Sequence, residues 1–173
     1  MWGWCLYTLC EFVDRKWTRV SELSVEHAGK RVLLRGRLHN SRVKGKRGFI
    51  VLRQRTDSVQ GIISVDENNI SKQMVNFVGS VTCESIVELE GTVQKVAEPI
   101  QACTQKLIEI QVEKFFSVSP SHAQLPILIE DASRSEAEID ASEGKFARVD
   151  LDTRLNNRVI ELRVRTLVGL FLE

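Results

Sequence analysis

Ser71-Lys-Gln-Met-Val-Asn-Phe-Val-Gly79 is the stretch on which the fold turns. Ser71 is a helix N-cap residue, Met74, Val75 and Val78 make a short apolar stripe, and Gly79 is a C-terminal stop. One short helix is therefore expected here. Three segments before it and two after it alternate apolar and polar residues with the period of two that a half-buried strand requires.

The first of these, Arg31 to His39, sets Val32, Leu34, Gly36 and Leu38 on one face, against Arg31, Arg35, Arg37 and His39 with Leu33. The second, Phe49 to Arg55, is entered through Lys44-Gly-Lys-Arg-Gly48, which reads as a hairpin turn. The third runs from Val59 to Val65, the fourth from Ile86 to Val96 and the fifth from Leu107 to Val118. Gly91 in the middle of the fourth predicts a bulge or tight bend. A further short helix is expected at Ser21 to His27, packed beneath the sheet, and another over Asp152 to Leu172. Three strands, a helix and two strands is the order of an OB-fold, a five-stranded Greek-key barrel in an all-β core with peripheral helices. Other small barrels alternate as well but do not usually place a helix there.

Parity within a strand decides which face a side chain takes. With Ile50 and Leu52 as the core pair of the second strand, Phe49 points outward with Val51 and Arg53. Val59, Ile63 and Val65 share a face with Gly61, so Gln60 takes the other. In the fifth strand Glu109 and Gln111 oppose Ile108, Ile110 and Val112. An aromatic ring, an amide and a carboxylate thus sit outward beside Arg35, Arg37 and Arg42. That mixture suits single-stranded nucleic acid: rings stack on unpaired bases, amides and carboxylates read base edges, and arginines hold phosphates. Taken one at a time, an outward Phe is often covered by a loop, and a Gln or Glu on a sheet is usually only solvated.

The charge distribution agrees with such a surface. The 173 residues carry a net charge of only +1, yet Arg15 to Arg55 hold thirteen Lys/Arg against two acids, Glu22 and Glu26. The balance is restored by acidic stretches, most densely the six acids from Glu130 to Glu143. A basic first part can attract phosphates while the whole stays near neutral, although solvated strand faces would read the same way. The composition, 43% hydrophobic and 27% charged, is that of a globular protein. No run of about 18 apolar residues is present, so no membrane partner is expected. Cys5, Cys10, Cys83 and Cys103 form no metal-ligand spacing, which predicts free buried thiols in a reducing cytoplasm and no metal site. Met1 to Val13 is apolar but lacks the features of a secretory signal, and no function is assigned to it.

Several motifs carry a family resemblance. They are Gly36-Arg-Leu-His-Asn-Ser-Arg42, Phe49-Ile-Val-Leu-Arg-Gln54, Ser71-Lys-Gln-Met74, Glu84-Ser-Ile-Val87, Glu90-Gly-Thr-Val93, Leu125-Pro-Ile-Leu128, Glu130-Asp-Ala-Ser-Arg-Ser-Glu136, Leu151-Asp-Thr-Arg-Leu155 and Arg158-Val-Ile-Glu-Leu-Arg163. From about Trp17 to Arg163 the sequence resembles the aspartate–tRNA ligases of the eukaryotic and archaeal cytosolic type. Lysine and asparagine ligases share the barrel, but the Leu-Pro and acidic linker followed by Asp-Thr-Arg-Leu resembles the aspartate enzyme. The resemblance implies that Phe49 stacks on an anticodon base, that Gln60 and Glu109 bond to anticodon bases, and that Arg42 contacts the loop. Arg35 and Arg37 are further candidates on the same face. The small hydroxyl residue that relatives use before the fifth strand is replaced here by Ala102 or Cys103.

The expected organisation is an extension with a short helix at 1–29, the anticodon-binding barrel at 30–119, a linker at 120–150 and the start of a class II catalytic domain at 151–173. After Arg163 neither a motif-two Arg-x-Glu nor a Gly-rich motif three follows, and no other catalytic constellation takes their place. The chain by itself is therefore expected to form no aminoacyl-tRNA and to need no cofactor. ATP and Mg²⁺ are expected only for the catalytic domain. The implied partner is aspartate-specific tRNA, with the full-length ligase a homodimer and a member of a multi-synthetase assembly. Two other readings stay open: a free-standing OB protein that binds single-stranded nucleic acid, and an interaction fragment that binds no RNA.

Overall fold

The computed structural model describes residues 16–66, 70–142 and 144–164. The apolar opening stretch and the part of the expected last helix beyond Val164 lie outside the described residues. The chain divides into two units, residues 1–121 and 122–173.

In the first unit the strands are β1 (Arg31–Lys44), β2 (Arg47–Gln54), β3 (Asp57–Ser64), β4 (Ile86–Lys95) and β5 (Ile108–Ser119), with α1 (Lys72–Ser80) between β3 and β4. They close into a barrel in the order β1-β2-β3-β5-β4, β4 returning to β1. Only β3 and β5 run parallel. Alternation explains the closure: Leu34, Leu38, Ile50, Leu52, Val59, Ile63, Leu89, Ile108 and Ile110 all point inward and are buried. The expected bulge at Gly91 is present, since the β4–β5 register slips between Glu90 and Gly91. A Cβ on Gly91 would stand 2.2 Å from the Gln111 carbonyl oxygen, so only glycine permits β5 to pass this close.

Helix α1 begins where expected, the Ser71 hydroxyl accepting the Met74 N–H at 3.2 Å, and it buries Val75 and Val78. Gly79, however, is not its stop. The helix continues to Ser80 and gives way at Val81, which is extended. A Cβ at Gly79 would meet the Val43 side chain at 3.1 Å, so this glycine serves the close approach of α1 to β1. The helix expected at Ser21 to His27 is instead two 3₁₀ turns, Val20–Glu22 and Val25–His27. Leu23 interrupts them by turning extended into the core, while Val20 is also buried there.

The second unit is described by itself. Where the sequence reads as a linker the chain forms α2 (Ile129–Ser133) and α3 (Glu136–Ala141). Ser135 and Glu138 make a reciprocal capping box at the start of α3, and Arg134 pairs with Asp131 while lying 4.0 Å over Phe146. The helix expected from Asp152 breaks into α4 (Leu151–Asn156) and α5 (Arg158–Glu161). Asn157 is the reason. Its side-chain N–H donates to the Thr153 carbonyl at 2.9 Å, competing with the helical ladder, and its backbone leaves the helical region. Ile127, Ile129, Ala132 and Val164 form a small core. No helix among the described residues is long and apolar enough to cross a membrane.

Candidate nucleic-acid interface

The open face of the barrel depends on an irregularity in β1. Strict alternation from Leu38 would turn Arg42 inward, but the β1–β2 register slips between Leu38 and Asn40. Long-range backbone bonds hold the slip: the Glu84 N–H donates to the Leu38 carbonyl at 2.7 Å and the Leu38 N–H to the Ser85 carbonyl at 2.9 Å. His39 is the extra residue, and beyond it Asn40, Arg42 and Lys44 are exposed while Val43 packs on the core. Strand β1 therefore runs five residues past the His39 end that alternation suggests.

Registers then place two rows of residues across the outer surface. One row is Arg42, Phe49, Ile62, Gln111 and Thr92, each opposite the next on the neighbouring strand. The adjacent row is Asn40, Val51, Gln60, Glu109 and Gln94. Strands in a sheet lie about 4.8 Å apart, so each side chain stands next to those flanking it in its row. Phe49 is 44% exposed, and half-buried Val51 and Ile62 extend its apolar surface. Gln60 and Glu109 lie beside that platform on one side and Arg42 on the other. The side chains of Arg42, Gln60 and Glu109 make no hydrogen bond or ion pair with any other described residue.

Arg35 and Arg37 do not join this group. Arg35 is seven residues from Arg42, about 23 Å along the strand at roughly 3.3 Å per residue. Its guanidinium is paired with Glu88, which is 1% exposed, and lies 4.2 Å from the centre of the Trp17 ring. Arg37 donates to the Glu84 carbonyl at 3.1 Å. Both cations serve the far half of β1, where the segment around Trp17 and Thr18 runs along the strand, the Thr18 N–H donating to the Leu33 carbonyl at 3.0 Å.

The connection between β4 and β5 closes the Gln60 and Glu109 end. It is tied down by Thr104, whose hydroxyl accepts the Ser58 N–H at 2.7 Å and bonds the Ser58 carbonyl at 3.0 Å. Cys103 beside it is buried, and burial pushes its thiol pKa up despite a hydrogen bond to Ser58 that opposes the shift. With Cys103 inside, the Ala102 side chain apolar and the Thr104 hydroxyl engaged, this loop supplies no free hydroxyl.

The alternation pattern contains Val51 as an outward residue but does not single out Ile62, and their joining of Phe49 in one platform is a matter of register. Asn40 and Gln94, at the ends of the second row, carried no local signal. Asn40 faces outward only through the bulge, and Gln94 reaches the row only because β5 lies between β3 and β4.

The family model described as an OB-fold nucleic acid binding domain, tRNA anti-codon, matches residues 32–118. The cytoplasmic aspartate–tRNA ligase of Bos taurus is 45% identical over 158 residues, covering 91% of this chain and 31% of that protein. That of Caenorhabditis elegans is 46% identical over 157 residues, covering 88% and 29%. The chain thus spans about three tenths of the length of these curated relatives. Among solved structures, the aspartyl tRNA synthetase from Entamoeba histolytica superposes with a TM-score of 0.87 at 33% identity, over 94% of this chain and 35% of that one.

Proposed function

This chain belongs to the tRNA anticodon family of OB-fold nucleic acid binding domains, and from that premise we propose that it is the anticodon-recognising part of an aspartate–tRNA ligase. The observation that carries the reading is the pair of outer rows, which gather Phe49, Gln60, Glu109 and Arg42 on one open patch with their polar atoms uncommitted to other described residues. Phe49 offers a ring on which an unpaired base can stack. The amide of Gln60 can donate and accept, and the carboxylate of Glu109 only accepts, so side by side they distinguish donor from acceptor positions on base edges. Arg42, opposite Phe49, supplies the charge for a phosphate.

In this reading the barrel selects aspartate-specific tRNA for cytoplasmic translation, and no catalytic step is assigned to its residues. Activation of aspartate, with ATP and Mg²⁺, belongs to a class II catalytic domain, and the complete ligase is a homodimer and a member of a multi-synthetase assembly. The boundaries follow the sequence reading, with recognition by the barrel of 30–119. The test is a binding titration of the purified chain against aspartate tRNA and against the same tRNA with a scrambled anticodon loop. Tighter binding of the matched loop is expected. Equal affinity for both would favour a general single-strand binder, and no salt-dependent affinity at all would favour an interaction piece.

A further inference from the structure

We propose that the end of the β1–β2 hairpin, Lys44, Lys46 and Arg47 together with Arg42, is a phosphate-binding site that holds the RNA backbone beside the base stacked on Phe49. The proposal rests on the anticodon-binding reading and adds to it where the sugar–phosphate chain runs.

The basic surplus of the first part of the chain does not form one even field. Much of it is neutralised by acids that β4 and β5 bring across the barrel. Arg31 pairs with Glu90 and Glu113, each at 3.0 Å, and Arg35 pairs with Glu88. Arg53 reaches both oxygens of Glu84, at 2.6 and 2.7 Å. The hairpin end is different. Arg42, Lys44, Lys46 and Arg47 are all exposed, and none makes an ion pair with a described residue. Arg47 faces Ser64 on β3; the nearest described acid along the chain from Ser64, Asp66, follows Val65, whose N–H donates to the Lys46 carbonyl at 2.9 Å, yet it makes no ion pair with these cations.

Lys44 and Arg47 are moreover direct partners in the β1–β2 register. Like charges placed opposite each other on a sheet destabilise it, so the arrangement works against the fold. Lysines often guard an exposed sheet edge, and beyond Arg37 β1 has no second strand partner, so that explanation covers Lys44 but not Arg47. Strand β2 is hydrogen-bonded on both sides, and α1 packs against Val43 on the β1 side. A cost that no acid among the described residues offsets is what a polyanion-binding surface looks like. Position agrees. Arg42 and Lys44 project from one face two residues apart, about 6–7 Å, and Arg42 stands opposite Phe49. A base on the Phe49 ring thus has its backbone delivered to these cations.

The test uses the full chain carrying Lys44→Gln, Lys46→Gln and Arg47→Gln together, with Arg31→Gln as the control for a cation already paired. Affinity for aspartate tRNA is measured across a salt series. Each lost single-strand phosphate contact flattens the slope of log K against log salt by about 0.7, so the triple variant is expected to flatten it by about 2. Affinity for matched and scrambled loops should fall by the same factor, because phosphates carry no sequence information. Arg31→Gln should leave the slope unchanged. A slope in the triple variant equal to that of the unsubstituted chain overturns the site, even where preference for the matched loop persists. A flattened slope in a chain with no such preference upholds the site and refutes the anticodon reading instead. A thermal melt of the triple variant at or above that of the parent, as relief of the Lys44–Arg47 repulsion predicts, excludes unfolding as the cause.

Discussion

Gln60 and Glu109 stand opposite each other in the barrel's one parallel pairing, β3 against β5, although forty-nine residues of chain separate them. Neither side chain bonds to another described residue. Their adjacency makes a two-residue reader of base edges, and replacing either should weaken discrimination more than affinity. Gln60→Ala and Glu109→Ala are each expected to reduce the preference for the matched anticodon loop by about 1–3 kcal/mol. Competition titrations with single-base anticodon changes measure this. Preference unchanged in both variants would remove them from the reading of bases.

Phe49→Ala should lower tRNA affinity by about 1–3 kcal/mol through lost stacking. The residue is 44% exposed, so the part covered by its neighbours is lost as well, and binding is compared at a temperature well below the melting point of the variant. Phe49→Trp keeps a stacking surface and should restore binding. A variant that binds normally, or one that fails only by unfolding, contradicts the role.

Arg53 and Glu84 form a nearly enclosed pair, with side chains 15% and 10% exposed. Glu84 also holds the β1 slip through its backbone and sits at φ +66. Glu84→Ala leaves the Arg53 cation largely buried and unpaired, for a loss of about 3–5 kcal/mol. Urea unfolding of the variant gives the number directly. A loss below about 1 kcal/mol would mean that the pair is as weak as an exposed one.

Gly91→Ala places a methyl group 2.2 Å from the Gln111 carbonyl oxygen, which is backbone and cannot rotate away. The strands must separate at the bulge, at a cost of at least about 1–3 kcal/mol. Because β4 and β5 carry Gln94, Glu109 and Gln111 to the outer face, RNA discrimination should fall with stability. Denaturation and titration of one preparation check both.

Cys103 is buried, as expected of a free thiol, with a raised thiol pKa, whereas Cys83, also expected inside, is exposed because it lies in the turn before β4. Alkylation of the folded chain followed by peptide mapping should label Cys83 and spare Cys103. A raised folded pKa means that the unfolded thiol loses its proton first. The contribution of Cys103 is therefore complete below the ordinary thiol value of about 8.5 and is lost as pH rises through the folded value. Cys103→Ser should reduce that alkaline loss of stability, as read from melts between neutral and alkaline pH.

The alternation of residues such as Val32, Leu34 and Leu38 and the Ser71 cap are local, period-based signals, and they alone were enough to specify five strands and a helix in the OB order. Parity likewise determined that Phe49, Gln60 and Glu109 face outward. Gly79 shows the limit of such signals. A glycine near a helix end reads as a stop, but its reason here is Val43, on another element.

What the tertiary structure decided was which outward residues meet and which charges remain available. Arg42 faces out opposite Phe49 because Glu84 and Ser85 pin a bulge in β1, and Arg35 and Arg37 are withdrawn because β4 and the residues before it give them partners. Each of these depends on register between strands distant in sequence. Hydrophobic periodicity chooses a face for a residue, but register and ion pairing depend on contacts that no single segment of the chain encodes.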